Sequence, residues 1–348
     1  MRHLRHLLIP LLLAASLVAG FTAPAGAHMK IHCNNTGTST SAVGFGPYDP
    51  IRFHALGAVS HDHTFFANKR LPALSDPSAA TYSGLVGAPT ACDNADDTAS
   101  YWVPTAYQRT ADGVLHRMIV HAVIAYYRPW WYPTKRADTD GTGGTTRAHE
   151  PDARLVAGDA HALAPQNVDI VNWTCNQSSS RPGPYTSAVQ AACNTATGTV
   201  VRLGYHIDFP GCWDGLHNDH SAVGNTADFS GDSLLTGSPQ HYAMATGTGK
   251  NPTCPAGFGR HVATIRLDVQ LENWNGGDYH GSGTDVFLSS GLPVMGFTAE
   301  RSQWTLHGDF WSTWVQTGGA HGGYVGAVTT CINTTTSHPH GSSPTCGT

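Results

Sequence analysis

Histidine is frequent in this chain, and several histidines stand at spacings that suit a shared site. There are 21 histidines among 348 residues. His61 and His63 lie two apart, so in an extended segment both side chains point to the same face. Neutral imidazole is a common ligand of zinc and copper, and it also titrates near neutral pH. These two residues are therefore candidates for metal binding or acid–base chemistry.

Further histidines follow in the second half of the chain. His217 and His220 stand three apart, which places both on one face of a helical turn. His261 begins a strand-like segment, and His307 lies near the C-terminal end. We predict that these residues converge with the first pair into one metal site. The predicted ligands are His61, His63, His217, His220, His261 and His307.

Carboxylates near these histidines suit catalysis. Asp214 lies shortly before His217, and Asp309 lies two residues after His307. Such a carboxylate can fix a histidine tautomer or act as a general base. We therefore predict Asp214, Asp309 and His307 as catalytic residues, with copper or zinc as the metal. The alternative is that the histidines are structural residues, hydrogen-bonded on separate faces of the fold.

The segments that must position these side chains are mostly strand-like. Alternating apolar residues predict strands in residues 114–127, 200–209 and 261–271, whereas residues 186–192 give the best short helix. Many short strands between Gly, Pro and Asn turns indicate a mainly β, sandwich or jelly-roll-like single domain with long loops and few short helices. Residues 237–252, rich in Gly and Thr, predict a loop.

The N-terminal segment and the cysteines indicate export. Residues 1–27 have a basic start, an apolar run and small residues at Ala25 and Ala27, as in a secretory signal peptide. Eight widely spaced cysteines without a C-x-x-C pair then indicate disulfides. Cys175–Cys193 and Cys331–Cys346 are plausible local pairs, and the other pairings stay open. We expect residues 28–348 to form one secreted, extracellular domain.

Composition narrows the class of partner. Only 12% of residues are charged, the formal charge is -5, and no basic cluster occurs. This argues against nucleic acid and against an anionic membrane as partners. The polar, weakly charged surface suits an extracellular polysaccharide or cell-wall glycan, and we expect a monomer. Trp130 and Trp131 could stack on sugar rings, or they could anchor a sheet or loop.

A separate copper hypothesis concerns the mature N-terminus. Cleavage after Ala27 would leave His28 as the first residue. An amino-terminal histidine offers its α-amine and its ring to one copper ion, as in lytic polysaccharide monooxygenases. The alternative is that cleavage occurs elsewhere or that His28 is incidental.

Several short motifs resemble a known family, in order, over nearly the whole chain after residue 27. They lie at residues 49–50, 60–63, 101–104, 155–158, 209–215 (F-P-G-C-W-D-G), 217–220 (H-N-D-H), 254–261, 289–291 and 307–310. They resemble the secreted domain of unknown function nineteen-ninety-six of filamentous fungi and actinobacteria, sometimes found beside WSC carbohydrate-binding modules.

The chain departs from this family pattern in three ways. The insertion before residues 217–220 is short, His261 lacks a following proline, and a mature N-terminal histidine is not a family feature. The resemblance selects the same six histidines as their spacing does, but it implies no activity, because the family is defined without one.

Together these observations predict a secreted protein that acts on or binds extracellular polysaccharide through a histidine-lined, metal-binding site. An enzyme of this kind would be a polysaccharide-active hydrolase or a metal-dependent oxidase. One alternative is a non-catalytic carbohydrate-binding or wall-associated protein with structural histidines. Another is an interaction or defence protein.

Overall fold

The computed structural model describes twelve stretches of the chain. These are residues 29–34, 40–51, 55–56, 61–74, 80–129, 146–177, 183–195, 200–216, 241–245, 253–292, 298–333 and 346. The proposed signal peptide and His28 lie outside them. Within these stretches, no helix has the length and apolar character needed to cross a membrane.

Short β-strands make up most of the regular structure. In chain order they are β1 (Met29–His32), β2 (Gly44–Gly46), β3 (Tyr48–Asp49), β4 (Ala55–Leu56), β5 (His63–Ala67), β6 (Ser100–Pro104), β7 (Ala106–Arg109), β8 (Leu115–Arg117), β9 (Ile119–Arg128), β10 (Arg154–Gly158), β11 (Val171–Gln177), β12 (Val201–Asp208), β13 (Cys212–Trp213), β14 (Tyr242–Ala243), β15 (Arg260–His261), β16 (Thr264–Glu272), β17 (Val286–Leu288) and β18 (His307–Trp311). The α-helices are α1 (Tyr82–Leu85), α2 (Ala188–Ala191), α3 (Ala299–Gln303) and α4 (Gly323–Ala327), with 3-10 turns at Leu71–Ala73, Cys193–Thr195 and Ser289–Gly291 and a π-helical turn at Val328–Ile332.

Two five-stranded antiparallel sheets face each other across the main apolar core. The first has the order β1-β9-β16-β12-β11, and the second has the order β10-β18-β6-β5-β2. Tyr127 of the first sheet hydrogen-bonds Tyr101 of the second through their hydroxyls, and Phe209 packs against Phe310. Both sheets contribute side chains to one buried cluster. The predicted mainly β class is therefore confirmed.

The sequence periodicities that predicted these strands correspond to buried faces. Ile265, Leu267, Val269 and Leu271 alternate along β16, and each is at most 1% exposed. The predicted strand at 114–127 divides into β8 and β9, and the short helix forms as α2, capped by the Ser187 side chain. The predicted loop at 237–252 contains one short strand, β14, among its described residues.

Four disulfides cross-link the described residues, and no cysteine is free. They join Cys33–Cys92, Cys175–Cys193, Cys212–Cys254 and Cys331–Cys346. The two local pairs predicted from spacing are confirmed. A native disulfide typically contributes about 2–4 kcal/mol by restricting the unfolded chain.

The described residues also form three smaller sheets, with the orders β14-β13-β15, β17-β7-β8 and β3-β4. The β17-β7-β8 sheet is joined to the chain just before β5, because the Thr105 N–H donates to the Asp62 carbonyl. It thereby adjoins the segment that carries His61 and His63.

Candidate metal centre

His63 and His307 lie on β5 and β18, the strands on either side of β6 in the second sheet. His63 opens β5 and pairs with Pro104 of β6, while Asp309 of β18 pairs with Trp102 of the same strand. Continuing that antiparallel register by two residues brings His307 opposite Pro104. His63 and His307 therefore flank Pro104 on one face of the sheet. Since alternate residues point inward, this is the face turned away from the first sheet.

The rings of His61, His63 and His307 converge over that face. The ring centroid of His61 lies 4.2 Å from that of His63 and 4.9 Å from that of His307. The Nε2 atoms of His61 and His307 are 3.2 Å apart. One ligand nitrogen from each ring lies within 4.8 Å of both others. Three of the predicted ligands thus form one cluster, which we call the three-histidine centre.

Backbone carbonyls fix the tautomers of two of these rings. His63 Nδ1–H donates to the Tyr48 carbonyl at 3.0 Å, and His307 Nδ1–H donates to the Thr305 carbonyl at 2.8 Å. A carbonyl can only accept, so each neutral ring keeps its lone pair on Nε2. The buried Nε2 of His63 has no hydrogen-bond partner among the described residues. This arrangement is that of metal-binding histidines oriented by an outer acceptor.

The protonation state of His63 also suits metal binding. Burial, followed by the neighbouring charge of His307, lowers the pKa of His63 well below its usual value, although the hydrogen bond to Tyr48 acts in the opposite direction. The ring is therefore neutral at neutral pH, as a ligand must be. His63 and His307 are buried, whereas His61 is half-buried. His61 thus lies on the more accessible side of the centre.

Asp309 accompanies the three-histidine centre. Its Oδ2 lies 3.9 Å from His307 Nε2, and the side chain is buried. The two predicted catalytic residues His307 and Asp309 are therefore neighbours. A carboxylate at this distance can accept a proton beside the centre or stabilise positive charge within it.

Two further predicted site residues, His261 and Asp214, lie outside the three-histidine centre. His261 is on β15 opposite Cys212, in the small β14-β13-β15 sheet rather than in the three-histidine centre. Asp214 follows β13 and accepts from His241 Nδ1 at 2.6 Å. Asp214 is therefore paired with a histidine that was not among the candidates. His217, His220, Trp130 and Trp131 lie outside the described residues.

Sequence reasoning missed the groups that orient the rings. The Tyr48 and Thr305 acceptors are main-chain carbonyls, which no side-chain motif reveals. His241 lies 27 residues from Asp214, and it stood in a segment predicted as a loop. Only the pairing of β13 with β14, which sets Trp213 opposite Tyr242, brings the two together.

Three imidazole rings that converge on one face can, in their neutral form, hold a transition metal and leave a coordination position open. Zinc bound by three protein ligands keeps its fourth position for water or substrate. Two nitrogens at about 2.0–2.1 Å from a tetrahedral zinc ion are about 3.3 Å apart. The 3.2 Å between His61 Nε2 and His307 Nε2 agrees with this separation. Copper accepts the same imidazole nitrogens.

Comparison with known proteins gives a family but no activity. Searches of curated proteins and of solved structures found no match. One family model, described as Domain of unknown function (DUF1996), matches residues 49–314 and so covers His61, His63, His307 and Asp309. Because this match spans most of the chain, the protein belongs to the DUF1996 family.

Proposed function

We propose that this chain is an exported protein that binds a transition metal through His61, His63 and His307 and uses it on extracellular polysaccharide. The observation that carries the proposal is the convergence of three imidazoles, two of which have Nδ1 tied to a carbonyl. The leader-like residues 1–27 and the four disulfides support export. The weakly charged, polar composition supports a neutral glycan as the partner.

The bound metal defines two reaction classes. Zinc would polarise a substrate oxygen or activate water and so serve hydrolysis, whereas copper would serve oxidation. In either case His63 and His307 hold fixed Nε2 atoms, and Asp309 is the nearby general base. The half-buried His61 faces the accessible side, where a large polymer can approach.

Metal analysis of the purified full chain tests the ligand assignment. We expect close to one metal ion per chain, reduced strongly in His61→Ala and in His307→Ala because each loses one of three ligands. His161→Ala is the matched control, since His161 is exposed and lies outside the centre. Equal metal content in the wild type and in all three variants would refute the assignment of His61 and His307 as ligands.

Incubation with insoluble glycans tests the substrate class. Soluble products are expected from the metal-loaded protein, with dioxygen as oxidant and a reductant required if the ion is copper, and not from the chelated protein or from His307→Ala. Chelator-resistant product formation would refute a metal-dependent reaction.

A non-catalytic carbohydrate-binding protein is the second candidate, and an exposed aromatic pair supports it. Trp274 is 39% exposed, and its ring stacks on His116 with centroids 4.3 Å apart. Exposed indole faces suit contact with sugar rings. This function predicts retention on an insoluble glycan without soluble products, lost in Trp274→Ala and kept in His61→Ala. The clustering of three histidines argues against the third interpretation, an interaction protein with scattered structural histidines.

A further inference from the structure

Asp62 lies between two of the proposed ligands but faces away from them. Its Oδ2 accepts a hydrogen bond from the Tyr107 hydroxyl at 2.7 Å and from Arg117 Nε at 3.1 Å. A second Arg117 nitrogen lies 3.0 Å from the same oxygen. Tyr107 and Arg117 are directly paired on β7 and β8. The Asp62 side chain is therefore fixed to the β17-β7-β8 sheet.

The main chain of Asp62 is fixed by residues that adjoin the same sheet, since Thr105 directly precedes β7 and Ser289 directly follows β17. Its carbonyl accepts from the Thr105 N–H at 2.9 Å and from the Ser289 hydroxyl at 2.5 Å. Ser289 and Thr105 are themselves joined, because the Ser289 N–H donates to the Thr105 carbonyl. Residue 62 is thus restrained at both its backbone and its carboxylate. We call these four partners, Thr105, Tyr107, Arg117 and Ser289, the Asp62 clamp.

The surroundings of the clamp favour a lasting contact. The Asp62 side chain is only 16% exposed, although Arg117 is 49% exposed. The Arg117 guanidinium also lies over the Phe45 ring at 4.9 Å, which restricts its motion. Burial, followed by the hydrogen bond to Asp62, raises the pKa of Tyr107 to about 12. Tyr107 therefore remains a hydrogen-bond donor at physiological pH.

We propose that Asp62 is a positioning residue that holds His61 and His63 in their ligand orientation. Successive residues of an extended chain point to opposite faces, so fixing Asp62 on one side directs both neighbours to the other. His61 depends most on this restraint, since it lies outside the strands. Ligands held in place before the ion arrives lose less conformational freedom on binding. The metal-binding part of this inference rests on the proposed function.

The first test compares the metal affinity of two variants that keep all three histidines. Tyr107→Phe removes one hydroxyl, and Asp62→Asn removes the carboxylate charge at nearly constant shape. In titrations of the full chain with Co²⁺, each is expected to bind more weakly by up to about 10-fold, the lower end of the loss that follows removal of a ligand's own hydrogen-bond partner. The visible Co²⁺ absorption should also change, because the ligand geometry changes.

Tyr279→Phe is the matched control. Tyr279 donates to Asp285 at 2.5 Å, a tyrosine–carboxylate bond like that of Tyr107, and it lies outside the three-histidine centre. We expect this variant to lose thermal stability and to keep both the Co²⁺ affinity and the absorption spectrum of the wild type. A spectrum that changes equally in Tyr279→Phe and Tyr107→Phe would show a general folding effect and overturn the positioning role.

Nitrogen-15 spectra of the imidazoles test the clamp without metal. Tyr107→Phe and Asp62→Asn are expected to shift or broaden the His61 and His63 ring signals and to leave the buried His149 signal unchanged. If the wild-type protein binds no Co²⁺, the proposed function is refuted. The ring signals still test whether the Asp62 clamp orients His61 and His63. Ring signals of His61 and His63 that match the wild type in both variants overturn the clamp. Changed signals with unchanged Co²⁺ affinity overturn its role in metal binding.

Discussion

The three-histidine centre and the interior around His149 show two different fates of a buried histidine. His149 is fully buried between the sheets, bonds the Tyr324 hydroxyl through Nδ1 at 2.7 Å, and packs against Phe310. Its Nε2 has no hydrogen-bond partner among the described residues, as is also true of His63. The Nε2 of His63, however, faces two other imidazoles, whereas His149 is surrounded by aromatic rings. Burial of a histidine alone therefore does not indicate a metal site. Convergence of several imidazole nitrogens does.

The largest expected effect is the loss of metal binding in His63→Ala. We expect affinity to fall more than about 100-fold, because losing even an outer partner of a ligand costs about 10–100-fold. His149→Ala should unfold at a lower temperature but keep the wild-type affinity. Calorimetric titration with Zn²⁺ measures the affinity of both variants, and thermal unfolding measures their stability. Equal affinity losses in the two variants would contradict the distinction between the three-histidine centre and the interior around His149.

The next effect is a pH dependence of stability that originates at His149. Burial lowers the pKa of His149 to about 3, so the unfolded chain takes up its proton first as the pH falls. Stability from this residue is complete above an unfolded pKa of about 6.5 and is lost as the pH falls towards 3, by roughly 2 kcal/mol at pH 5. Denaturant unfolding of metal-free protein at pH 7 and pH 5 measures it. His149→Phe should show a smaller loss between these pH values; an unchanged loss contradicts the assignment.

A smaller effect is expected from the polar chain that joins the two sheets. Trp314 Nε1–H donates to the Tyr127 hydroxyl at 2.8 Å, and Tyr127 bonds Tyr101, whose hydroxyl in turn bonds Asp97. Tyr127→Phe leaves the buried Trp314 donor without its acceptor, which costs about 1–2 kcal/mol. Thermal unfolding should show this loss while metal content stays at the wild-type level. A loss of metal instead would mean that the interior and the three-histidine centre are coupled.

The smallest effect concerns His61 in the metal-free protein. His61 is half-buried, and its ring contacts the rings of His63 and His307. We expect His61→Ala to change the free energy of unfolding by about 1 kcal/mol or less without metal, and to remove the stabilisation that added metal gives the wild type. A large loss without metal would make His61 a structural residue like His149.

Sequence periodicity predicted the strands but not their neighbours in the sheets. The alternation in 261–271 shows which side of β16 is buried, since apolar side chains must leave water. That β18 lies beside β6, and so brings His307 to His63, depends on contacts between residues far apart in the chain. The same limit applies to the disulfides: Cys175–Cys193 and Cys331–Cys346 are close in sequence, whereas Cys33–Cys92 and Cys212–Cys254 depend on the folded sheets.

The candidate site was predictable only where its residues are close in sequence. The i,i+2 spacing of His61 and His63 predicted rings on one face, and the Asp62 carboxylate between them points to Tyr107 and Arg117 instead. The spacing could not separate His261, which ends β15 in a different sheet, from His307. It also gave no sign of His241 as the partner of Asp214, because that contact is set by the pairing of β13 with β14.

The position of Pro104 between His63 and His307 has a consequence for the ion that the proposed metal site would accept. β6 lies between the strands that carry these two histidines. The backbones of those strands are therefore held apart by two inter-strand spacings of about 4.8 Å each. Changes in surface loops leave that width unaltered, so in the proposed metal site neither strand would move aside for a larger or smaller cation. His61 lies outside the strands and is held by the Asp62 clamp, so in the proposed site a different ionic radius would be accommodated through substitutions in the clamp rather than in the sheet.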